Sequence, residues 1–276
     1  MIVTNIFAGF GNQLFMYACG YAVSKRLKTK LMIDASYIAN DPMRKYELSH
    51  LKIKYDSYFG VDMVPSYLLR VIIRKLRHFF MFVNYSSLHE RNKYVFNPEI
   101  EHVGDNTRLF GYWQTERYFE SCRNDLLEMF KPSYELSLSC KQLIDDIHTS
   151  NSVSVHIRRG DYVQLGICLG ADYYKRAIEY IKSKVEDPIF YIFSDDTEYA
   201  ESMFGDITCN YKIAKYDPVN ASIDDLFVMK ECQHNIIANS SYSWWGAWLN
   251  ENEKKIVICP QRKTKDEFFP NEWIQL

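Results

Sequence analysis

Five short apolar runs in the second half of the chain are separated by helical patterns, and this alternation leaves few folds open. Ser152–Ile157, Ile189–Phe193, Thr208–Ile213, Asn235–Ala238 and Lys255–Cys259 read as strands. Helical stretches lie at Tyr173–Val185, near Met203, at Ile223–Cys232 and within Asn239–Leu249. Antiparallel strands need only a tight turn, whereas parallel ones need crossovers of a dozen or more residues, usually helical. The pattern therefore predicts an α/β fold with a parallel C-terminal sheet and right-handed crossovers. Ligands of such sheets sit beyond the carboxyl ends of the strands, so the chemistry is expected there.

The first half is less regular. Ile2–Phe7 reads as a strand, followed by a Gly-rich turn, a helix from about Asn12 to Leu27 and a strand at Leu31–Ala35. From Ser36 to Asn106 the pattern is irregular, with loops around Pro42 and Pro65. Thr107–Trp113 reads as a strand and Glu116–Met129 as a helix. Lys131-Pro132-Ser133 marks the break between two α/β domains, 1–133 and 134–276, with a connecting helix at Tyr134–His148.

Three motifs fall at strand ends. His156-Ile-Arg-Arg-Gly-Asp161 puts two guanidiniums at the end of an internal strand, and a planar fork matches phosphate oxygens bidentately. Strand alternation would set His156 and Arg158 on one face and Arg159 on the other, before Gly160 leads into a loop. An Arg–Asp pair tying a loop to the sheet is the plainer alternative. Asn239-Ser240-Ser241 precedes a helix, where backbone N–H groups and the dipole favour an anion, although an ordinary Ser cap has the same sequence. Ser194, Asp195 and Asp196 would accept hydrogen bonds from a ribose or base, or cap the next helix. A fourth candidate, Gly9-Phe-Gly11-Asn12-Gln13, lets a backbone approach a ligand closely.

Composition narrows the partners. The net charge of −2 gives no global field for nucleic acid, so a phosphate site must be local. The seven cysteines are scattered without a C-x-x-C, which points away from zinc and disulfides and towards a reducing cytosol. There is no G-x-x-x-x-G-K-[ST], and the Gly9 turn lacks the third glycine of a dinucleotide fingerprint. No D-x-D framed by apolar strands occurs, so no metal site is expected. Met1 runs straight into a strand-like segment, and no apolar stretch nears the ~20 residues of a membrane span. One segment, 68–83, sets Arg70, Arg74 and Arg77 on one helical face and Leu69, Ile72, Ile73, Leu76, Phe80 and Val83 on the other. Such a stripe usually covers a core. Peripheral contact with anionic lipid at the inner membrane is the other reading.

Gly9–Ala18, His156–Tyr162, Phe193–Asp196 and Ile236–Leu249, in this order, resemble the motif set of bacterial α-1,2-fucosyltransferases, glycosyltransferase family eleven. The resemblance runs from residue 1 to about 260. It implies a GT-B-like pair of Rossmann-type halves, an acceptor-side 1–133 and a GDP-fucose-binding 134–276. It also implies inverting, metal-independent transfer of L-fucose from GDP-β-L-fucose to the 2-OH of a terminal galactose in an oligosaccharide. No cofactor beyond the donor substrate is implied.

By the same resemblance Arg158 grips the β-phosphate and His156 the ribose or a phosphate oxygen. Ser194 and Asp195 belong to the donor site, and Asn239, Ser240 and Ser241 bind phosphate. The related α-1,6 and protein O-fucosyltransferases share H-x-R and carry a guanine-binding Asp sixteen residues before a polar Ser turn. Asp225 occupies that place here. Gly11 and Asn12 resemble the G-x-G-N-Q turn of protein O-fucosyltransferases, whose amide lies near the leaving phosphate. Asp161 falls on the motif's acid, as a base or as an Arg orienter; His50 and Glu47 are further candidates for the base. Another linkage or acceptor class, or a non-catalytic nucleotide-sugar-binding protein, would share these donor residues.

Overall fold

The computed structural model of the protein describes residues 1–38, 41, 43–60, 66–205, 207–262 and 266–276. The chain forms two compact units, Met1–Ser133 with Asp266–Phe268, and Tyr134–Lys265 with Phe269–Leu276. The predicted loops around Pro42 and Pro65 lie at positions outside the described residues.

In the first unit, β1 (Ile2–Asn5), α1 (Phe10–Leu27), β2 (Leu31–Asp34), β3 (Ser57–Phe59), α2 (Tyr67–Met81), β4 (Ser86–His89), β5 (Thr107–Phe110) and α3 (Arg123–Met129) follow one another. The five strands pair in parallel in the order β3-β2-β1-β5-β4. Helix α1 is buried on most sides. It can lie on β1 because residue 20 is glycine: a Cβ there would stand 2.7 Å from the Thr4 Cβ. The Thr4 hydroxyl, in turn, donates to the Met16 carbonyl at 2.8 Å. Lys28, in the left-handed region at φ 52, caps α1.

Two expectations fail in this unit. The helix predicted over 116–129 is two 3-10 turns, Glu116–Tyr118 and Glu120–Cys122, before α3. Phe119 leaves helical backbone at φ −147. Its buried ring meets Phe15 edge-on at 5.8 Å.

Helix α2 is turned inside out. Of the expected core-facing apolar stripe, Ile73 does pack against Val3, Met32, Phe59 and Phe82, but Leu69, Ile72, Leu76, Phe80 and Val83, with Leu68 and Phe79 beside them, are each between 44% and 73% accessible. The basic face packs inward instead. Arg77 lies over the Phe59 ring at 3.8 Å and Arg74 over Tyr37 at 4.7 Å. His78 Nε2 sits 3.0 Å from Oδ2 of the fully buried Asp34. Burial pushes the Asp34 carboxyl up, but hydrogen bonds from His78 and Ser36 overcome this and hold it below its ordinary value.

The second unit comprises α4 (Leu138–His148), β6 (Ser152–Ile157), α5 (Gly160–Leu165), α6 (Ala171–Lys182), β7 (Ile189–Ser194), α7 (Thr197–Gly205), β8 (Asn210–Ile213), α8 (Ala221–Glu231), β9 (His234–Ile236), α9 (Ser241–Leu249), β10 (Val257–Cys259) and β11 (Ile274–Gln275). The six strands are parallel, in the order β11-β10-β9-β6-β7-β8. Counted from β6 this is the 3-2-1-4-5-6 order of a dinucleotide-binding Rossmann sheet. Val153, Val155, Phe190, Ile192, Ile236 and Ile258 form its core with Tyr173, Ile178 and Phe204 from the covering helices. Trp244, Trp245 and Trp248 are buried, as their helical spacing predicts.

The clash at residue 20 gives the fold a direct test. Gly20→Ala should cost about 1–3 kcal/mol, because the Thr4 Cβ it would meet is fixed to the strand and cannot swing aside. The readout is the midpoint of urea unfolding, and an unchanged midpoint would mean that α1 can lift off β1 freely.

Candidate active site

In the second unit the strand order reverses between β6 and β9, so their crossovers depart to opposite sides and the strand ends open a crevice. Two adjacent tyrosines of α6 hold those ends. The Tyr174 hydroxyl donates to the His156 carbonyl at 3.1 Å. The Tyr173 hydroxyl reaches the Ile237 and Ile258 carbonyls at 2.7 and 3.2 Å. Neither belongs to a sequence motif, although the pair stands in the first turn of a helix that follows β6.

Strand β6 ends at Ile157, so the expected alternation does not extend to the arginines. Both lie in the turn beyond, and Gly160 starts the short helix α5 rather than a loop. Arg158 is held from two sides: Nη2 is 2.7 Å from Asp161 Oδ1 and Nη1 is 2.6 Å from Asp195 Oδ2. The Arg159 backbone N–H donates to Asp195 Oδ1 at 2.8 Å, and its Nε pairs with Asp196 Oδ2 at 3.3 Å. Asp195 thus spans both arginines. Asp196 also accepts from the Tyr199 N–H, as a cap of α7 would, and the Ser194 hydroxyl donates to the Asp196 carbonyl. Gly160 permits the arrangement, since a Cβ there would stand 2.7 Å from Asp195 Oδ2.

His156 is buried, its ring 5.5 Å from Tyr242. Burial, with Arg158 nearby, pushes its pKa down to about 3. It is therefore a neutral imidazole and offers a hydrogen bond, not a charge. Among the described residues nothing partners its Nδ1, nor the buried Oδ1 of Asn239. Orphaned buried polar atoms are rare and call for a partner. Asn239 Nδ2 is tied to the Ile167 carbonyl, and Tyr162 donates to the Asn239 carbonyl. Ser240 caps α9 by accepting from the Tyr242 N–H, while Ser241 begins the helix. Asp225, on α8, accepts from the Tyr216 hydroxyl at 2.6 Å, and burial pushes its pKa up to about 6. Its neighbour Asp224 is fully buried and serves the fold, accepting from the Val219 and Asn220 N–H groups and from Tyr134.

The first unit has its own reversal, between β1 and β5. After β1, Ala8 takes φ 60 and leads through Gly9 and Gly11 into α1. Buried Gln13 clasps this turn, donating to the Ala8 and Lys45 carbonyls and accepting from the Glu47 N–H. After β5, Trp113 takes φ 57, a conformation costing of order 1–3 kcal/mol in a bulky residue. Glu90 holds it there, accepting from the Tyr112 and Trp113 N–H groups at 2.6 and 2.8 Å. Burial pushes Glu90 up to about 7 despite those bonds. The next residue, Gln114, donates to Asn12 Oδ1 and so joins the two turns. Glu90 and Gln114 carry no sequence signal, because their role depends on a strained turn.

The family model described as glycosyl transferase family 11 matches residues 63–276. The O-antigen biosynthesis glycosyltransferase WbnK of Escherichia coli is 31% identical, over 97% of this chain and 98% of its own length. An alpha-1,2-colitosyltransferase of Escherichia coli is 32% identical over 100% of this chain and 99% of its own. Among solved structures, NodZ alpha-1,6-fucosyltransferase soaked with GDP-fucose has the same fold at a TM-score of 0.50 and 12% identity, covering 90% of this chain and 91% of that one. The α/β architecture is of the GT-B kind, and the chain belongs to glycosyl transferase family 11.

Proposed function

We propose that the protein transfers L-fucose from GDP-β-L-fucose to the 2-OH of a terminal galactose in an oligosaccharide, with inversion and without a metal. One observation carries the reading: the Arg158 fork, braced by Asp161 and Asp195, at the strand-order reversal whose other wall is the Asn239–Ser241 turn. A guanidinium facing a helix N-terminus suits a diphosphate. His156 adds a neutral hydrogen bond to the ribose or a phosphate oxygen, Ser194 and Asp195 border the donor, and Asp225 accepts from guanine. Gly11 and Asn12 approach the leaving phosphate. The relatives support a 6-deoxyhexose donor: one is described as an alpha-1,2-colitosyltransferase, another structure was soaked with GDP-fucose. Colitose is fucose without its 3-hydroxyl, so GDP-colitose is the alternative donor.

In the reaction the acceptor O2 bonds to the anomeric carbon as the bond to the β-phosphate oxygen breaks, and the electron pair leaves with GDP. Arg158 and the Asn239–Ser241 turn stabilise the growing negative charge. With Oδ1 committed to Arg158, Asp161 acts first as its orienter. The O2 proton goes to a general base, a carboxylate or a histidine.

The exposed apolar face of α2, with exposed Lys75 at its edge, supports a cytoplasmic enzyme resting on the inner membrane. Replacing Phe79 and Phe80 together by Ser should then abolish co-sedimentation with anionic phosphatidylglycerol vesicles, while equal sedimentation would exclude this contact.

The decisive assay is GDP release from GDP-fucose and from GDP-colitose, with lactose as acceptor and excess EDTA, followed by NMR of the product. Linkage to the galactose 2-OH despite EDTA is the expected result; a metal requirement or another linkage would overturn the corresponding part. Arg158→Ala should lower the rate by roughly 10²–10³, and Arg158→Lys should fail as well, because a point charge cannot replace the fork. Full activity in Arg158→Lys would remove the phosphate role.

Asp225 gives a pH signature. Accepting from guanine needs the carboxylate, so GDP affinity should fall as the pH drops below about 6 and level off above it. Its folded pKa is raised, so ionisation costs stability; the cost grows from about pH 4 and is complete above 6. Asp225→Asn should therefore bind GDP weakly at every pH, yet unfold at higher temperature than the parent at pH 7.5 and at the same temperature at pH 4.

A further inference from the structure

We propose that Gln114 is a positioning residue for glycosyl transfer: it fixes the side-chain amide of Asn12 so that the N–H group, and not the carbonyl, is offered to the leaving phosphate. This role rests on the glycosyl-transfer reading above, in which the Gly9–Gln13 turn meets that phosphate. It adds what the reading leaves open, how a neutral amide is aimed at charge that grows only as the bond breaks.

An asparagine side chain ends in an oxygen and a nitrogen of nearly equal shape, and half a turn about its last bond exchanges them. Beside a phosphate the two ends are opposites, since the N–H donates to the phosphate oxygens and the carbonyl oxygen repels them. Asn12 therefore needs a neighbour that breaks the symmetry. Gln114 is that neighbour, because its Nε2 donates to Asn12 Oδ1. With the oxygen engaged, Nδ2 is the end of the amide that remains, and among the described residues no hydrogen bond uses it. Asn12 is only half-buried, so a ligand can reach that group.

Gln114 can impose a direction because its own place is fixed. It is buried and directly follows Trp113, whose backbone stands at φ 57. Such strain persists in a bulky residue only where the surroundings over-determine it. Here the Glu90 carboxylate accepts from the Tyr112 and Trp113 N–H groups, and residue 111 is glycine, since a Cβ there would collide with the Glu90 Cβ. The Trp113 ring meets Tyr118 edge-on at 5.3 Å. The Tyr112 ring meets Phe7 edge-on at 5.1 Å, so the turn after β5 is already tied to the segment after β1 by an apolar contact. What the Gln114 hydrogen bond adds to that tie is a direction for the Asn12 amide.

The test is a double-mutant cycle on the full-length enzyme, with lactose and whichever of GDP-fucose and GDP-colitose it turns over. Asn12→Ala should lower kcat by roughly 10², the scale of one lost donor to a developing charge. Gln114→Met keeps the length but frees the amide, and should lower kcat roughly tenfold, the scale of one hydrogen bond. Gln114→Glu keeps the shape but its carboxylate can only accept; it should capture Nδ2, turn Oδ1 outward and lower kcat as far as Asn12→Ala does. The double variant Asn12→Ala/Gln114→Met should be no slower than Asn12→Ala alone, because both changes act through one group. The KM for lactose should change less than kcat in every variant. Losses that multiply in the double variant would overturn the role, as would a Gln114→Glu enzyme with the parent's kcat. If Gln114→Glu fails to fold, the cycle with Gln114→Met decides alone. Full kcat in Asn12→Ala would remove the phosphate contact of the turn from the reading above, and the role of Gln114 with it. An impaired Asn12→Ala beside unimpaired Gln114 variants would overturn only the latter. If neither donor is turned over, side-chain amide NMR with GDP decides. GDP should shift the Asn12 NH₂ pair, assigned by its loss in Asn12→Ala, in the parent and not in Gln114→Glu; no shift in the parent, or the same shift in both, would end the proposal.

Discussion

Every paired strand in both sheets runs parallel to its neighbours, and much of the site follows from that constraint. A parallel neighbour can be reached only by crossing back over a sheet face, so all strand ends collect along one edge. Where the order reverses, between β6 and β9, successive crossovers leave in opposite directions and the backbone itself opens a crevice. The chain places its arginines at one side of that opening and the start of α9 at the other. The tyrosines of α6 then fix the strand-end carbonyls, so the crevice has rigid walls before any ligand arrives. In the first unit the same reversal, between β1 and β5, brings Asn12 to Gln114.

Electrostatics at the crevice is a matter of position more than of net charge. Arg158 and Arg159 face three carboxylates, Asp161, Asp195 and Asp196, so the cluster is not a cationic patch. A guanidinium has five N–H groups, and carboxylates on two of its edges still leave directions for an anion. The carboxylates take up part of each terminal nitrogen and hold the side chain in place, removing rotamer freedom that a long side chain would otherwise lose on binding. Neutral His156 suits this arrangement, since a third cation would fix a ligand phosphate more tightly before reaction as well as after it, and uniform tightening does not accelerate a chemical step.

The second unit was legible because its signals are local. Strand β6 fills its predicted bounds, Ser152–Ile157, since six consecutive buried residues in an interior strand leave no room for a shift. Elements that are short, polar or dependent on distant contacts carry no such local signal. Strands β3 and β4, of three and four residues, and β11, of two, sit at sheet edges, where pairing to a neighbour supplies the order that composition does not. Glu90 was invisible for the same reason: an ordinary glutamate acquires its meaning only when β5 ends in a left-handed Trp113 that needs its N–H group accepted. Arg158, by contrast, could be singled out from its motif, but its partner Asp195 lies a whole crossover away.

The inverted α2 shows two forces in competition. Asp34 is fully buried at the end of β2, and leaving such a carboxylate without His78 would cost about 3–5 kcal/mol. That explains why the helix presents its basic face to the sheet. It does not balance the other side, because seven half-exposed Leu, Ile, Phe and Val side chains forgo on the order of 10 kcal/mol of possible burial. Arg74 and Arg77 lie over the Tyr37 and Phe59 rings and His78 meets Asp34, so rotating the helix would break these contacts. The proposed membrane contact would offset this imbalance by burying the apolar face outside the fold. With a lysine at its rim and no polar residue along its centre, that face has the make-up of a surface that meets lipid.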